Sequence, residues 1–157
     1  MLDEHLGYVA DATRLELFKS AVAASLPPGA VVADLGCGSG ILGLLCLQAG
    51  AGKIYAIDDS AMLEVARETF ERAGYGERAV CLRGKSGRIE LPERVDAVVC
   101  DHVGYFGFDY GVIEFLADAA AAGVTREAGL LVARHEVDYR KPMPYRREPV
   151  EIPTWVD

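Results

Sequence analysis

The hydrophobic positions of the chain follow two alternating patterns, and these predict a series of helices and strands. Residues 11–26 carry Leu15, Phe18 and Val22 at the spacing i, i+3, i+7, which places them on one stripe of an amphipathic helix. Short apolar runs predict five strands, at residues 31–34, 53–58, 79–83, 95–100 and 129–134. Further helices are predicted between them, at residues 39–49, 60–73 and 112–124.

This alternation of apolar strands with helices determines the expected fold class. Strands of a parallel sheet are apolar along their length because helices cover both faces. We therefore expect an α/β, Rossmann-like fold with a mostly parallel sheet of about five strands and helices on both faces. In the helix at 60–73, Ser60 is the expected N-cap. The inward face of that helix is expected to comprise Met62, Leu63, Val65, Ala66 and Phe70.

A glycine-rich turn follows the first predicted strand. Asp34 precedes Gly36, Gly38 and Gly40, which alternate with small residues, and an apolar helix pattern continues from Ile41. Such a turn allows the backbone to approach a ligand closely and presents free N–H groups at the start of the helix. The dinucleotide fingerprint G-x-G-x-x-G needs a glycine where this chain has Ile41. A nicotinamide-dependent dehydrogenase is therefore the weaker alternative, supported only by the general sheet pattern.

Acidic residues follow two other predicted strands. Asp58 and Asp59 lie at the end of the second strand, with Asp58 22 positions after Gly36, and Asp101 follows the fourth strand. In a parallel sheet, ligands bind at the carboxyl ends of the strands. A carboxylate at the second strand has two acceptor oxygens, which suit the two hydroxyls of a ribose. We therefore expect the turn, these acids and the loop at 84–87 to form one site.

The composition indicates one ordered domain. The chain has 157 residues, 51% hydrophobic and 25% charged, and no apolar run reaches the roughly 18 residues of a membrane span. The formal net charge of −8 disfavours nucleic acid as a partner. The N-terminus lacks a signal-peptide pattern, so a cytoplasmic location is expected. Residues 1–140 are expected to form the domain, and four prolines within 141–157 predict an extended tail.

The cysteines do not suggest a metal or redox site. The chain has four, Cys37, Cys46, Cys81 and Cys100, and none forms a C-x-x-C pair. No metal ion is therefore expected, and the four residues are predicted to be free and mostly buried thiols.

Several motifs, in the same order, resemble one known family. The segment DLGCGSGILGLLCLQAGAGKIYAID, the segment LPERVDAVVCD and the run GYF after Asp101 resemble the cofactor-binding half of the protein arginine methyltransferases. YVADATRLELF, near the N-terminus, resembles the family's helix that carries Asp and Arg. The resemblance covers about four-fifths of the chain. It implies a class I methyltransferase fold that uses S-adenosylmethionine (AdoMet) and releases S-adenosylhomocysteine (AdoHcy).

The resemblance also implies roles for individual residues. Arg14 is expected to bind the AdoMet carboxylate, Asp58 with Asp59 the ribose, and Lys85 with Ser86 to lie by the adenine. The cofactor loop and its flank are expected to comprise Asp34, Gly36, Cys37, Gly38, Gly40, Ile41 and Asp101.

The chain departs from the family pattern in four respects. The family loop has two glutamates nine positions apart, and these fall on Asp101 and Tyr110, with Asp109 just before the latter. An adenine-contacting glutamate falls on Gly87, and the Thr-His-Trp motif and complete C-terminal β-barrel of the family are missing from this sequence. The catalytic candidates are therefore Asp101, Asp109 and His102, a histidine that can act as a general base.

The predicted function is AdoMet-dependent methyl transfer to a nitrogen or oxygen nucleophile of a protein side chain or a small molecule. The alternative is a non-catalytic or incomplete AdoMet-binding module that acts with a partner chain. A homodimer is a second form of partnership that the sequence leaves open.

Overall fold

The computed structural model of the protein describes residue 7 and residues 9–85 and 88–101. Between residues 12 and 100 these form three helices, four strands and one short 3-10 turn. In chain order they are α1 (Ala12–Ser25), β1 (Val31–Leu35), α2 (Ile41–Gln48), β2 (Lys53–Asp58), α3 (Met62–Arg72), the 3-10 turn (Gly76–Arg78), β3 (Ala79–Arg83) and β4 (Ala97–Cys100).

The helix and strand predictions within this range are confirmed to within about two residues at most ends. The helix predicted at 11–26 begins after Asp11, because the side chain of Asp11 accepts a hydrogen bond from the Arg14 backbone N–H at 3.0 Å and caps the helix. The strand predicted at 95–100 begins at Ala97. The segment before this strand is held at Asp96, whose backbone N–H donates to the Val31 carbonyl at 2.7 Å.

The four strands form one parallel sheet with the order β3-β2-β1-β4. Strands β2 and β3 are thus added on one side of β1, and β4 is added on the other. The strand order reverses between β1 and β4, and ligands of such sheets bind at this point. Leu35 at the end of β1 pairs with Ile57 on one side and Cys100 on the other. The residues that follow, Asp58 and Asp101, thus emerge at the same edge of the sheet.

The two faces of the sheet are covered differently in the described residues. Val32, Ile54 and Val99 face one side, where they pack with apolar residues from all three helices. The opposite face is also buried, and residues of the 88–96 connection such as Ile89 pack against it. The predicted α/β fold with a parallel sheet is confirmed.

The prediction that Val65 of α3 lies in the core is wrong. Met62, Leu63, Ala66 and Phe70 are buried as expected, whereas Val65 is 38% exposed. Successive residues of an α-helix are separated by about 100° around its axis. The four buried residues form one stripe about 100° wide, whereas Val65 lies about 60° beyond its edge at Met62 and about 100° from Ala66.

Other predictions lie outside the described residues. These are the helix at 112–124, the strand at 129–134, the tail at 141–157 and therefore the domain boundary at 140. Among the residues that are described, no helix is long and apolar enough to cross a membrane.

Helix α3 packs directly on the glycine-rich turn. Gly40 has a φ of +78°, and a Cβ built on it would lie 2.9 Å from Phe70 Cζ and 3.0 Å from Ala66 Cβ. Glycine is therefore needed at this position for two reasons, the left-handed backbone and the absence of space.

We expect Gly40→Ala to lower the free energy of unfolding by about 3 kcal/mol or more, because overpacking adds to left-handed strain. Gly50→Ala is the matched control. Gly50 also has a positive φ, +104°, but a Cβ there meets nothing within 4 Å, so only the strain of about 1–2 kcal/mol is expected. Urea unfolding followed by circular dichroism measures both losses, and equal losses would contradict the packing of α3 on Gly40.

Candidate functional site

The carboxylate of Asp58 joins two turns at the edge of the sheet. Its Oδ2 accepts a hydrogen bond from the Gly38 backbone N–H at 2.8 Å, within the glycine-rich turn. Its Oδ1 accepts from the backbone N–H of Ser60 at 2.8 Å and from the Ser60 hydroxyl at 2.6 Å. Each carboxylate oxygen has about two acceptor positions. A ribose hydroxyl that approached Oδ1 would therefore compete with the two donors of Ser60. At Oδ2 it would meet the donor of Gly38.

The N-cap residue of α3 is Ala61, one position after the predicted Ser60. Ser60 nevertheless contacts the start of the helix. Its hydroxyl accepts from the Met62 backbone N–H at 3.2 Å, at the start of α3, and donates to Asp58. The helix start and the carboxylate are thus linked through one side chain. Helix α3 and the glycine-rich turn are held together by this polar link as well as by apolar packing.

Asp34 supports the glycine-rich turn from inside the protein. Its side chain is 1% exposed, and its Oδ2 accepts from the Gly43 backbone N–H at 2.9 Å. Burial raises the pKa of Asp34 to about 7, the Gly43 hydrogen bond opposes this, and the negative charge of Asp58 adds to it. A Cβ on Gly43 would lie 3.0 Å from Oδ2, so glycine there permits the close approach.

The other residues of the turn are held mainly by backbone contacts. Gly36 and Gly38 have φ of +64° and +52°. The Cys37 backbone N–H donates to the Ile57 carbonyl at 3.0 Å, and its thiol is buried, which raises its pKa far above the ordinary range. Ile41 is half-buried as the first residue of α2. The turn therefore presents backbone groups, while its one thiol stays protonated and inert.

An ion pair connects α1 to the end of β4. The guanidinium of Arg14 contacts the carboxylate of Asp101, with the two side chains 5% and 18% exposed. The Arg14 guanidinium also lies over the Phe18 ring, 5.1 Å from its centroid. Arg14 and Asp101, which the resemblance assigned to one site, are thus brought together, and Asp101 follows a strand adjacent to the glycine-rich turn.

The remaining predicted site residues divide into two groups. Asp59 and Lys85 are exposed at the edge of the sheet, and the Lys85 carbonyl accepts from the Arg88 backbone N–H at 2.9 Å. Ser86, His102 and Asp109 lie outside the described residues.

Sequence reasoning missed Arg83. It pairs with Asp58 in the register of β2 and β3, and its Nη1 donates to the Ser60 carbonyl at 2.8 Å. The signal that could have found it is its position as the last residue of a predicted strand in a parallel sheet, where ligand-binding groups collect.

The described residues give no sign of a metal site. They contain no group of three or more His, Cys, Asp and Glu side chains suited to hold an ion. All four cysteines are thiols outside any disulfide, as predicted; Cys37 and Cys46 are buried, whereas Cys81 and Cys100 are only half-buried. Burial raises the pKa of Cys46 to about 12.

Comparison with known proteins identifies the family. Residues 32–123 match the model of a family described as a methyltransferase domain, and this range contains the glycine-rich turn, Asp58 and Asp101. The chain belongs to the methyltransferase domain family. The match extends over more than half of the sequence, so it covers the sheet and its site rather than one motif.

Within this family the domain resembles the protein arginine methyltransferases. It is 30% identical over 141 residues to a probable protein arginine N-methyltransferase 6 of Arabidopsis thaliana, covering 88% of this chain and 32% of that protein. Two solved structures are also similar. One is the Trypanosoma brucei PRMT1 enzyme–prozyme heterotetrameric complex with AdoHcy, with a TM-score of 0.69, 30% identity and coverage of 73% of this chain and 37% of the other.

The second is Arabidopsis thaliana protein arginine methyltransferase 10, with a TM-score of 0.67, 31% identity and coverage of 74% and 35%. The methyltransferase domain thus spans about a third of the length of these relatives.

The raised pKa of Asp34 makes the stability of the domain depend on pH. Asp34 holds its proton up to about pH 7 in the folded chain, whereas an ordinary aspartate loses it near pH 3.8. The folded state therefore binds more protons across this interval, and the free energy of unfolding falls as the pH rises from about 4 to about 7. The fall is on the order of 3 kcal/mol and ends above the folded-state pKa.

Asp34→Asn is expected to remove this fall, because the amide does not titrate and its oxygen still accepts from Gly43. The control is Asp59→Asn, which removes an exposed carboxylate and is expected to retain the fall. Chemical unfolding at pH values between 4 and 8 measures the free energy of unfolding of the unsubstituted chain, Asp34→Asn and Asp59→Asn. A pH profile of Asp34→Asn parallel to that of the unsubstituted chain would contradict the burial argument.

Proposed function

We propose that this domain binds AdoMet at the carboxyl ends of β1, β2 and β4 and transfers its methyl group to a nitrogen or oxygen nucleophile. The observation that carries the proposal is the clamp between Asp58 and the Gly38 amide, with the Arg14–Asp101 pair at the adjacent strand end. These groups lie at the point where ligands of parallel sheets bind. The family and the AdoHcy complex of a similar structure support the same ligand.

The chemistry of the side chains fits AdoMet. Arg14 presents a guanidinium, with five N–H donors, that can bind the carboxylate of the amino-acid end while it retains Asp101. Asp58 offers carboxylate oxygen to the ribose, and the exposed Lys85 borders the adenine end.

When bound, AdoMet supplies a methyl group that its sulfonium makes electrophilic. The residues of the chain then have to align the acceptor with that methyl and exclude water. In this proposal His102 takes the proton from a hydroxyl or amine acceptor, and Asp101 and Asp109 bind or orient that acceptor.

Protein arginine is the first acceptor to test. The relatives named above are arginine methyltransferases, and two carboxylates can bind a guanidinium in a bidentate manner. The chain has Asp101 and Asp109, with Tyr110 at the second position of the family pattern. Asp101 is one methylene shorter than glutamate and already contacts Arg14, so other nitrogen or oxygen acceptors are tested in parallel.

A second candidate is a cofactor-binding module that acts with a partner chain. The contact between Asp101 and Arg14 favours it, because that carboxylate is engaged on the cofactor side. The similar Trypanosoma brucei structure is a complex of an enzyme with a prozyme, and it supports a complex with a second chain as the form to test.

The deciding experiment is transfer of labelled methyl from AdoMet into a cell extract, with the products separated by size and acceptor. Label in protein arginine or in another acceptor supports the enzyme. Binding of AdoHcy without any labelled product supports the module. A chain that binds neither AdoMet nor AdoHcy in calorimetry contradicts both forms of the proposal.

Substitution of the two adjacent acids identifies which of them serves the ligand. Asp58→Asn is expected to weaken AdoHcy binding by about tenfold to a hundredfold, because it replaces charge-assisted hydrogen bonds of about 1.5–3 kcal/mol. Asp59→Asn tests the second acid that the resemblance assigns to the ribose, and it is expected to change binding less than twofold, because the carboxylate that accepts from Gly38 and Ser60 is that of Asp58. Calorimetric titration measures both, and a larger effect at Asp59 would contradict the assignment.

A further inference from the structure

Arg83 contacts the turn between β2 and α3 from the neighbouring strand. It is the last residue of β3 and lies opposite Asp58 in the sheet register. One nitrogen of its guanidinium, Nη1, donates to the Ser60 carbonyl at 2.8 Å, and the other, Nη2, donates to Glu64 Oε1 at 3.0 Å. The side chain thus spans from the edge strand to the first turn of α3.

These contacts continue to the candidate cofactor site through one residue. The Ser60 carbonyl accepts from Arg83, while the backbone N–H and hydroxyl of Ser60 both donate to Asp58 Oδ1. The other oxygen of Asp58 accepts from Gly38. Arg83 therefore restrains a residue that orients the Asp58 carboxylate through two hydrogen bonds.

The guanidinium suits this task better than an ammonium. Its planar fork meets two acceptors in fixed directions, here a backbone carbonyl and a carboxylate, whereas a lysine presents a single flexible charged group. Glu64 is itself held by Arg67, whose Nη1 donates to Glu64 Oε2 at 2.5 Å. The acceptor that Arg83 uses on α3 is thus already oriented.

We propose that Arg83 is a positioning residue, which holds the Ser60 turn so that Asp58 can accept a ribose hydroxyl of AdoMet or AdoHcy. This inference rests on the proposed function. Arg83 acts through Ser60 and Asp58 and does not need to contact the ligand itself.

A purely structural role makes a different prediction. The side chains of Arg83 and Glu64 are 49% and 58% exposed, and ion pairs at such exposure contribute little to stability. If the pair were only a surface contact, Arg83→Gln would leave ligand discrimination unchanged. The readout must therefore be recognition of the ribose rather than melting temperature.

The test compares AdoHcy with its analogue that lacks the ribose 2′-hydroxyl. In the unsubstituted chain we expect AdoHcy to bind about tenfold more tightly than the analogue, the effect of one hydrogen bond to a charged group. Arg83→Gln is expected to reduce this preference to about threefold or less, and Arg83→Lys to restore part of it. Arg72→Gln, which removes an exposed arginine paired with Glu68 on the same helix, is expected to retain the full preference.

A double substitution tests whether Arg83 acts through Asp58. In the Asp58→Asn background, Arg83→Gln is expected to cause no further loss of AdoHcy affinity, because the group that Arg83 positions has already been changed. Additive losses would overturn the proposal, since they would mean that Arg83 affects the ligand independently.

Hydrogen exchange of the ligand-free chain separates this inference from the proposed function. Arg83→Gln is expected to accelerate exchange of the Ser60 and Gly38 amides, and Arg72→Gln to leave them unchanged. Unchanged exchange, or an unchanged ribose preference in a chain that binds AdoHcy, overturns only the role of Arg83. An unsubstituted chain that does not bind AdoHcy overturns the proposed function, and the ribose role of Arg83 with it.

Discussion

The structure around the candidate site depends on the hydrogen bonds that the Asp58 carboxylate accepts. One oxygen accepts from the glycine-rich turn after β1 and the other from the turn before α3. These turns belong to adjacent parallel strands, so their backbone ends would otherwise diverge toward separate helices. Three donors on one carboxylate bring them together, and charge-assisted bonds of this type are about twice as strong as neutral ones. The apolar contact of Gly40 with Phe70 and Ala66 then closes the same junction from inside.

The same edge of the sheet concentrates negative charge. Asp34 is buried beneath the turn, and the nearby charge of Asp58 is one reason why its pKa rises to about 7. Arg14 compensates on the side of β4, where burial strengthens its attraction to Asp101 and also makes it costly to leave either charge alone. The domain therefore tolerates an electrostatic arrangement that an optimised core would avoid. Such local conflicts are typical of binding sites, where a charged ligand completes the balance.

The sequence predicted the elements well because each depends on local pattern. The strand before Asp34, the apolar helix after it and the strand before Asp58 follow from periodicity and from glycine, and the structure has all three. From the residue pattern, the site was predicted as a glycine-rich turn and a set of strand ends, and the family resemblance added Arg14 of the first helix. That Arg83 holds Ser60 depends on the register between β2 and β3, which pattern alone does not give. The bonds between Ser60 and Asp58 are local, since an aspartate side chain can accept from the backbone two residues later. The error at Val65 has the opposite cause, since a hydrophobic residue was assigned to the core without regard to its angle on the helix.

The Arg14–Asp101 contact lies at the boundary between the residues proposed to bind the cofactor and those proposed to bind the acceptor. Arg14, Asp34, Asp58 and the glycine-rich turn are all oriented by bonds within residues 9–101, so the cofactor side is organised by elements that precede Asp101. Asp101 follows β4 and contacts Arg14. Under the proposed function, selection of the acceptor is assigned to the residues after it, which include His102 and Asp109. The family pattern is kept at the glycine-rich turn and altered at Asp101 and Tyr110, so the proposed function allows the acceptor to differ while that turn is unchanged.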